Sequence, residues 1–446
     1  MRKTVLQDGD EGVQLIVRDR KPKRSKKSTK AETPLRSPVH VVYGGADRFG
    51  AETPAKLGRI ASATLEIYAP NKNSFGAIFG LKGEAASVFD RVKAKLTSEP
   101  VEDFRIDFED GYGFRTDSEE DADAMRAARE LAASVKTASI TAFSGFRVKS
   151  YSAETRDRAK RTLNIFLGSL LESTSRKLPS NFVVTLPKVT DKKEVSALCR
   201  DLKKIEKEHK LKEGSVKIEI MVEHPLALID RKGNFALRVI VEAARGRCVA
   251  AHFGAYDYTA SLGIAASHQD IAHPACDFAR HVMLASLSPL GIRLSDSVTT
   301  QMPVPLHKGE KINAKQKSEN RTAIAAGLQI HFQNVTRSMS NGFYQSWDLH
   351  PNHLIARYAA VFTFFLEAME AQAVRLRAFI DKATQATLTG NAFDDAATAM
   401  GIMNFFRQGL ACGALSEDEI EKATGLTAAA LKQSSFSEIS ESGRSR

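Results

Sequence analysis

The chain has 446 residues, of which 43% are hydrophobic and 26% charged, with a formal net charge of +11. That is a globular profile, long enough for one large barrel with extensions or for two ordinary domains. No apolar run is long enough to span a bilayer, no apolar leader opens the sequence, and Cys199, Cys248, Cys276 and Cys412 lie far apart. These features argue against a transmembrane helix, a secretory signal, a disulfide scaffold and a Cys-based zinc site, and lead us to expect a cytoplasmic protein with no membrane partner.

The charge is concentrated. Residues 18–30, RDRKPKRSKKSTK, hold eight basic residues and one acidic, which leaves only +4 for the rest of the chain. A basic, Ser-rich run without apolar periodicity predicts a disordered arm over residues 1–35. It contains no aromatic residue to stack on bases, so a solvated arm is expected rather than a nucleic-acid partner.

From residue 36 short β-rich runs alternate with amphipathic stretches. Strands are expected at 38–44, 104–108, 140–148, 181–187, 216–222, 248–253, 292–298 and 343–348. Helices are expected between them at 54–68, 117–135, 154–171, 191–209, 235–245, 277–287 and 314–338, with Asp117 or Ser118 capping the second. Strict alternation predicts a parallel sheet, and eight units predict a closed (β/α)8 barrel over 36–353. The first strand is not followed by GxGxxG, which weakens an open dinucleotide-binding sheet. Helical stretches at 354–382, 392–409 and 416–432 exceed the needs of a bare barrel. They predict a C-terminal helical extension over 354–434 acting as lid or oligomer contact, hence a homo-oligomer (trimer or hexamer), with a disordered tail at 435–446.

In such a barrel chemistry sits at the C-terminal strand ends. Those ends carry Asp107, Glu109 and Asp110, then Arg147, Lys188, Glu223 and His224, Asp257, Asp296, and finally Asp348 and His350. Singly, each reads as a helix cap, a surface turn or a satisfied core side chain. Together they would repel unless a cation neutralised them, and an oxygen-rich set without a Cys/His cluster favours Mg²⁺ or Mn²⁺. Arg147 offers a forked cation matched to a substrate carboxylate. Asp296 is a candidate proton-transfer residue from its strand-end position alone.

Six pieces in chain order resemble the citrate lyase β-subunit / HpcH–HpaI aldolase superfamily, which includes malyl-CoA lyases. They are RIDFEDGYG (105–113), FRVK (146–149), LPKV (186–189), IMVEHP (220–225), FGAYDYTASLG (253–263) and YQSWDLHP (344–351). Lys149, His224, Gln345 and Ser346 depart from that pattern. The resemblance implies Glu223 and Asp257 as metal ligands. It also implies substrate contacts from Arg147, Lys188, Gly254 and Ala255, and orienting roles for Asp107, Glu109 and Asp110. It further implies an Mg²⁺-dependent carbon–carbon lyase or aldolase acting on a small oxo- or hydroxy-acid or its CoA thioester. A malate-synthase-like condensing enzyme, a phosphoenolpyruvate-type phosphoryl transferase and a non-catalytic binding protein are the alternatives.

Overall fold

The computed structural model describes residues 36–432, apart from Lys82, Glu310, 383–386 and 390–391. The arm 1–35 and the tail 435–446 lie outside the described residues. In chain order, β1 (His40–Gly45) leads to α1 (Thr53–Tyr68), α2 (Lys72–Phe79) and α3 (Ala85–Ser98). β2 (Asp103–Asp107) precedes α4 (Asp117–Lys136), β3 (Phe143–Arg147) precedes α5 (Arg156–Ser173), and β4 (Phe182–Leu186) precedes α6 (Lys192–Glu208). β5 (Lys217–Val222) is followed by α7 (Pro225–Leu228) and α8 (Leu237–Glu242), and β6 (Cys248–Phe253) by α9 (Ala255–Ser261) and α10 (Pro274–Leu287). β7 (Arg293–Val298) leads to α11 (Ala314–Ser340), and β8 (Gln345–Asp348) to α12 (His353–Asp381). The β9 (Thr387–Thr389) and β10 (Ala392–Asp394) hairpin then precedes α13 (Ala396–Ala411), α14 (Glu417–Thr424) and α15 (Ala428–Lys432).

Neighbouring barrel strands pair in parallel, and β8 closes on β1 with His40 opposite Ser346 and Val42 opposite Asp348. The fold is the expected (β/α)8 barrel. No helix among the described residues is long and apolar enough to cross a membrane.

The outer helices follow from local chemistry. In α6 the buried residues Val195, Leu198, Leu202 and Ile205 recur at helical spacing, and the Asp191 side chain accepts the Lys193 N–H at 2.7 Å as its cap. α4 starts at Asp117, where the helix was expected, but with a different cap. Its cap is Thr116 rather than Asp117 or Ser118, because Thr116 and Glu119 form a reciprocal capping box. α2 and α3, which fill the span between the first two strands, were not anticipated, nor were the short α7, α9 and β9. Ala392–Asp394, expected to be helical, forms a strand, and α13 starts after its Asp395 cap.

α12 is the eighth helix of the barrel and not part of an extension. It packs on α11 and on α1 and α3, and every residue from His353 to Ala360 is buried. Its outer apolar side is covered by α13 and α14, with Phe365, Leu376, Met403, Phe406, Leu415 and Ile420 all buried in one core.

The barrel interior is polar, not the usual layers of branched apolar side chains. Arg105 on β2 crosses it to Glu219 on β5, with Nε–Oε1 at 2.7 Å and Nη2–Oε2 at 2.9 Å, and it also pairs with Asp103. Thr185 donates to Glu219 at 2.5 Å, and Gln345 donates to Asp103 at 3.1 Å. His252 on β6 stands 3.1 Å from Glu219 through Nε2 and 3.1 Å from the Tyr43 hydroxyl on β1 through Nδ1. Burial pushes the Glu219 carboxyl up, but Arg105 and then His252 outweigh it and hold the group well below the usual carboxylate range.

Candidate active site

The top of the interior continues this network into the mouth. Arg147, at the end of β3, is 1% exposed. It grips Asp107 of the neighbouring strand with two bonds, Nε–Oδ1 at 2.7 Å and Nη2–Oδ2 at 2.6 Å. The same Asp107 oxygens accept the N–H groups of Glu109 (3.0 Å) and Gly111 (2.7 Å), so the loop after β2 is wound around this carboxylate. A Cβ on Gly111 would come within 2.6 Å of Asp107 Oδ2, which is why the turn needs glycine. The Arg147 guanidinium also lies over the rings of Tyr43 (4.9 Å) and Trp347 (5.5 Å). A planar cation held by a fork and two aromatic faces has little freedom left.

Lys188 follows β4 with φ +53°, a left-handed conformation uncommon outside glycine. In this conformation its N–H donates to Glu223 Oε1 at 2.6 Å, while its ammonium pairs with Glu109 and, at 2.9 Å, with Asp110. Glu109 also stands 3.1 Å from Arg147 Nη1. One lysine thus ties the strand-two loop to the strand-five carboxylate.

Glu223 is 2% exposed. Burial first, and then the charge of Asp257, push its carboxyl up to about 8. Burial also raises Asp257, which sits in the first turn of α9 at the exposed rim and has no hydrogen bond or ion pair among the described residues. Gly254, which opens α9, lies against Glu223. A Cβ there would lie 2.6 Å from both Cβ and Oε2 of Glu223, although φ is −111° and imposes no strain. Gly254→Ala is therefore expected to displace the Glu223 carboxylate, costing about 1–3 kcal/mol of local overpacking and at least about tenfold in Mg²⁺ affinity, with the fold retained. Calorimetric titration checks this, and unchanged affinity would remove Glu223 from the ligand set.

The structure thus brings Asp107, Glu109, Asp110, Arg147, Lys188, Glu223, Asp257 and Gly254 together at one mouth. Asp296 does not belong there. It projects outward from β7, accepts from Arg280 Nε at 2.9–3.0 Å and from Ser338 Oγ at 2.5 Å, and is 1% exposed, so it fastens β7 to α10 and α11 and cannot move a proton at the mouth. Asp348 likewise faces the helix layer, bound by Arg357 and His331, with His40 3.2 Å away. The N–H groups of Gly254 and Ala255 are engaged by Val222 O and Ser297 Oγ, both at 3.0 Å, so neither N–H is free to bind a substrate.

A family model described as a domain of unknown function, DUF6986, matches residues 21–439. The chain belongs to that family. A comparison with curated proteins gives no match. Among solved structures, this DUF6986 member is similar to a citrate lyase from Burkholderia xenovorans LB400, at 16% identity and a TM-score of 0.54 over 87% of this chain and 96% of that one. A second is the CitE protein of Mycobacterium tuberculosis in complex with magnesium, acetoacetate and coenzyme A, at 14% identity and a TM-score of 0.47 over 84% and 98%. A third is a Haloferax volcanii malate synthase with magnesium and glyoxylate, at 15% identity and a TM-score of 0.45 over 72% and 74%. The citrate lyase likeness shows a shared barrel fold, as the motif resemblance led us to expect.

The four departures from the motifs have local structural partners in this DUF6986 chain. Lys149 bonds Phe108 O (2.7 Å) and Glu120 (2.8 Å), and His224 Nδ1 caps α7 through the Leu226 N–H. Gln345 joins the interior network, and Ser346 accepts from Arg357 at 2.6 Å. Tyr43 and Trp347, the platform for Arg147, were missed by sequence reasoning. Their inward parity on β1 and β8 was the available signal.

Proposed function

We propose that this protein is an Mg²⁺-dependent carbon–carbon lyase or aldolase acting on a small oxo- or hydroxy-acid or its CoA thioester. The observation that carries the reading is the buried Glu223 carboxyl, raised to about 8 beside Asp257 and linked through Lys188 and Glu109 to the fixed Arg147. A buried carboxylate with a second one near it at the rim is costly without a cation. The donors are carboxylate oxygens only, and no cluster of three or more His, Cys, Asp or Glu side chains suited to a metal occurs among the described residues. Mg²⁺ commonly takes one or two carboxylates and completes its shell with water and substrate oxygens, so the residues present fit it. Glu223 and Asp257 would hold the ion, which would supply a Lewis acid toward the oxo oxygen of the substrate.

The chain's own groups do the rest. Arg147 neutralises the negative charge that develops on that oxygen as the carbon–carbon bond breaks, and its pairing with Asp107 fixes the donor direction beforehand. Asp107 orients without leaving its partner. Lys188 holds Glu223 through its N–H and keeps Glu109 and Asp110 charge-balanced. The barrel fold shared with a citrate lyase supports the same reading.

The test is Mg²⁺-dependent turnover against a panel of small oxo-acids, hydroxy-acids and their CoA thioesters. Turnover that disappears in Glu223→Gln is expected. Turnover that persists without Mg²⁺, or in that variant, would overturn the metal-dependent reading.

A further inference from the structure

The opposite end of the barrel carries a second concave site. A cleft of about 690 Å³ opens between α6, the loop before β5 and the loop before β6. Lys217 begins β5 here, roughly 20 Å along the strand direction from Glu223 at its other end. Six of the lining side chains are cationic and one is a carboxylate. Two of the cations are already paired, Lys203 with Glu213 at 3.0 Å and Arg247 with Glu206 at 2.6 Å. The other four, Arg200, Lys212, Lys217 and Arg245, have no carboxylate partner among the described residues. Lys217 makes only a long 3.4 Å contact, to Gly246 O. Arg245 and Gly246 form a left-handed turn, φ +51° and +81°, at the rim of the cleft.

Four uncompensated cations line this one cleft, and no carboxylate among the described residues relieves their mutual repulsion. A multivalent anion does, and guanidinium and ammonium groups match phosphate oxygens in particular. The volume falls in the range of small-molecule sites and suits a ligand that enters a cleft more than a macromolecule that lies on a surface. No aromatic side chain lines it, so nothing there stacks on a base. We propose that this cleft binds a small oligophosphate anion, recognised by its charge and its phosphate oxygens, at a site separate from the carboxylate mouth.

The test is titration of the full chain with pyrophosphate and tripolyphosphate in Mg²⁺-free, low-salt buffer, where these anions cannot act by chelating metal. Binding is expected to survive Glu223→Gln and to weaken at least about tenfold in Lys212→Ala/Arg245→Ala. A charge-matched control on α11, Lys315→Ala/Lys317→Ala, is expected to bind like the parent chain. Tripolyphosphate is expected to bind more tightly than sulfate. Absence of binding by the parent chain, equal loss in the α11 control, or equal affinity for sulfate would each overturn the proposal. Weaker binding in the cleft variant with an unchanged circular-dichroism spectrum would support it and would exclude simple unfolding.

Discussion

Exchanging Arg147 for lysine is expected to lower turnover by about 10²–10³ while leaving Mg²⁺ affinity within a few-fold of the parent chain. The substitution keeps the positive charge but removes the fork. Lysine cannot span both Asp107 oxygens as Arg147 does at 2.6 and 2.7 Å, nor lie flat on Tyr43 and Trp347. The donor that meets developing charge thus loses its fixed direction, whereas Glu223 and Asp257 are untouched. The loss should appear in kcat more than in KM, because the interaction strengthens as charge develops. A fall in Mg²⁺ affinity as large as the fall in turnover would instead make Arg147 a support for the metal carboxylates.

The second large effect concerns stability. Arg105→Met is expected to destabilise the chain by about 3–5 kcal/mol, read from urea unfolding, because Asp103 and Glu219 are then left in the barrel without their shared cation. Adding Glu219→Gln is expected to recover part of the loss, since the neutral amide removes one stranded charge while still accepting from Thr185. The pair should therefore show non-additive costs. A cost for Arg105→Met below about 1 kcal/mol would mean that water or protonation already compensates the interior charges.

These two cases show what could be read from the residues alone. Alternation of β-rich and amphipathic segments was enough for the closed barrel, because the two periodicities differ and eight repeats admit few arrangements. The mouth was legible where a strand-end residue shares parity with inward neighbours. Asp107 continues Asp103 and Arg105, and Glu223 continues Glu219. It was misread at Asp296, which has opposite parity from the inward Ser297 and binds helices instead. A one-residue offset in a strand moves a side chain to the other face, and strand-end position alone does not carry that offset. The polar interior was hidden for a related reason. Arg105, Glu219 and His252 are far apart in sequence and become partners only when the barrel closes. α12 was assigned to an extension because an apolar helix after the eighth strand looks the same whether it closes the ring or caps it.

The most direct measurement is calorimetric Mg²⁺ titration of the parent chain and of Glu223→Gln across pH 6 to 9, in buffers of differing ionisation enthalpy. Glu223 has a folded value of about 8 without metal, so below that pH the ion must displace its proton. Affinity is then expected to rise about tenfold per pH unit up to about 8 and to level off above it, with about one proton released per ion bound at neutral pH. Glu223→Gln is expected to lose this binding and its pH dependence while staying folded. Mg²⁺ binding of equal strength in that variant, or binding without proton release at neutral pH, would contradict the account.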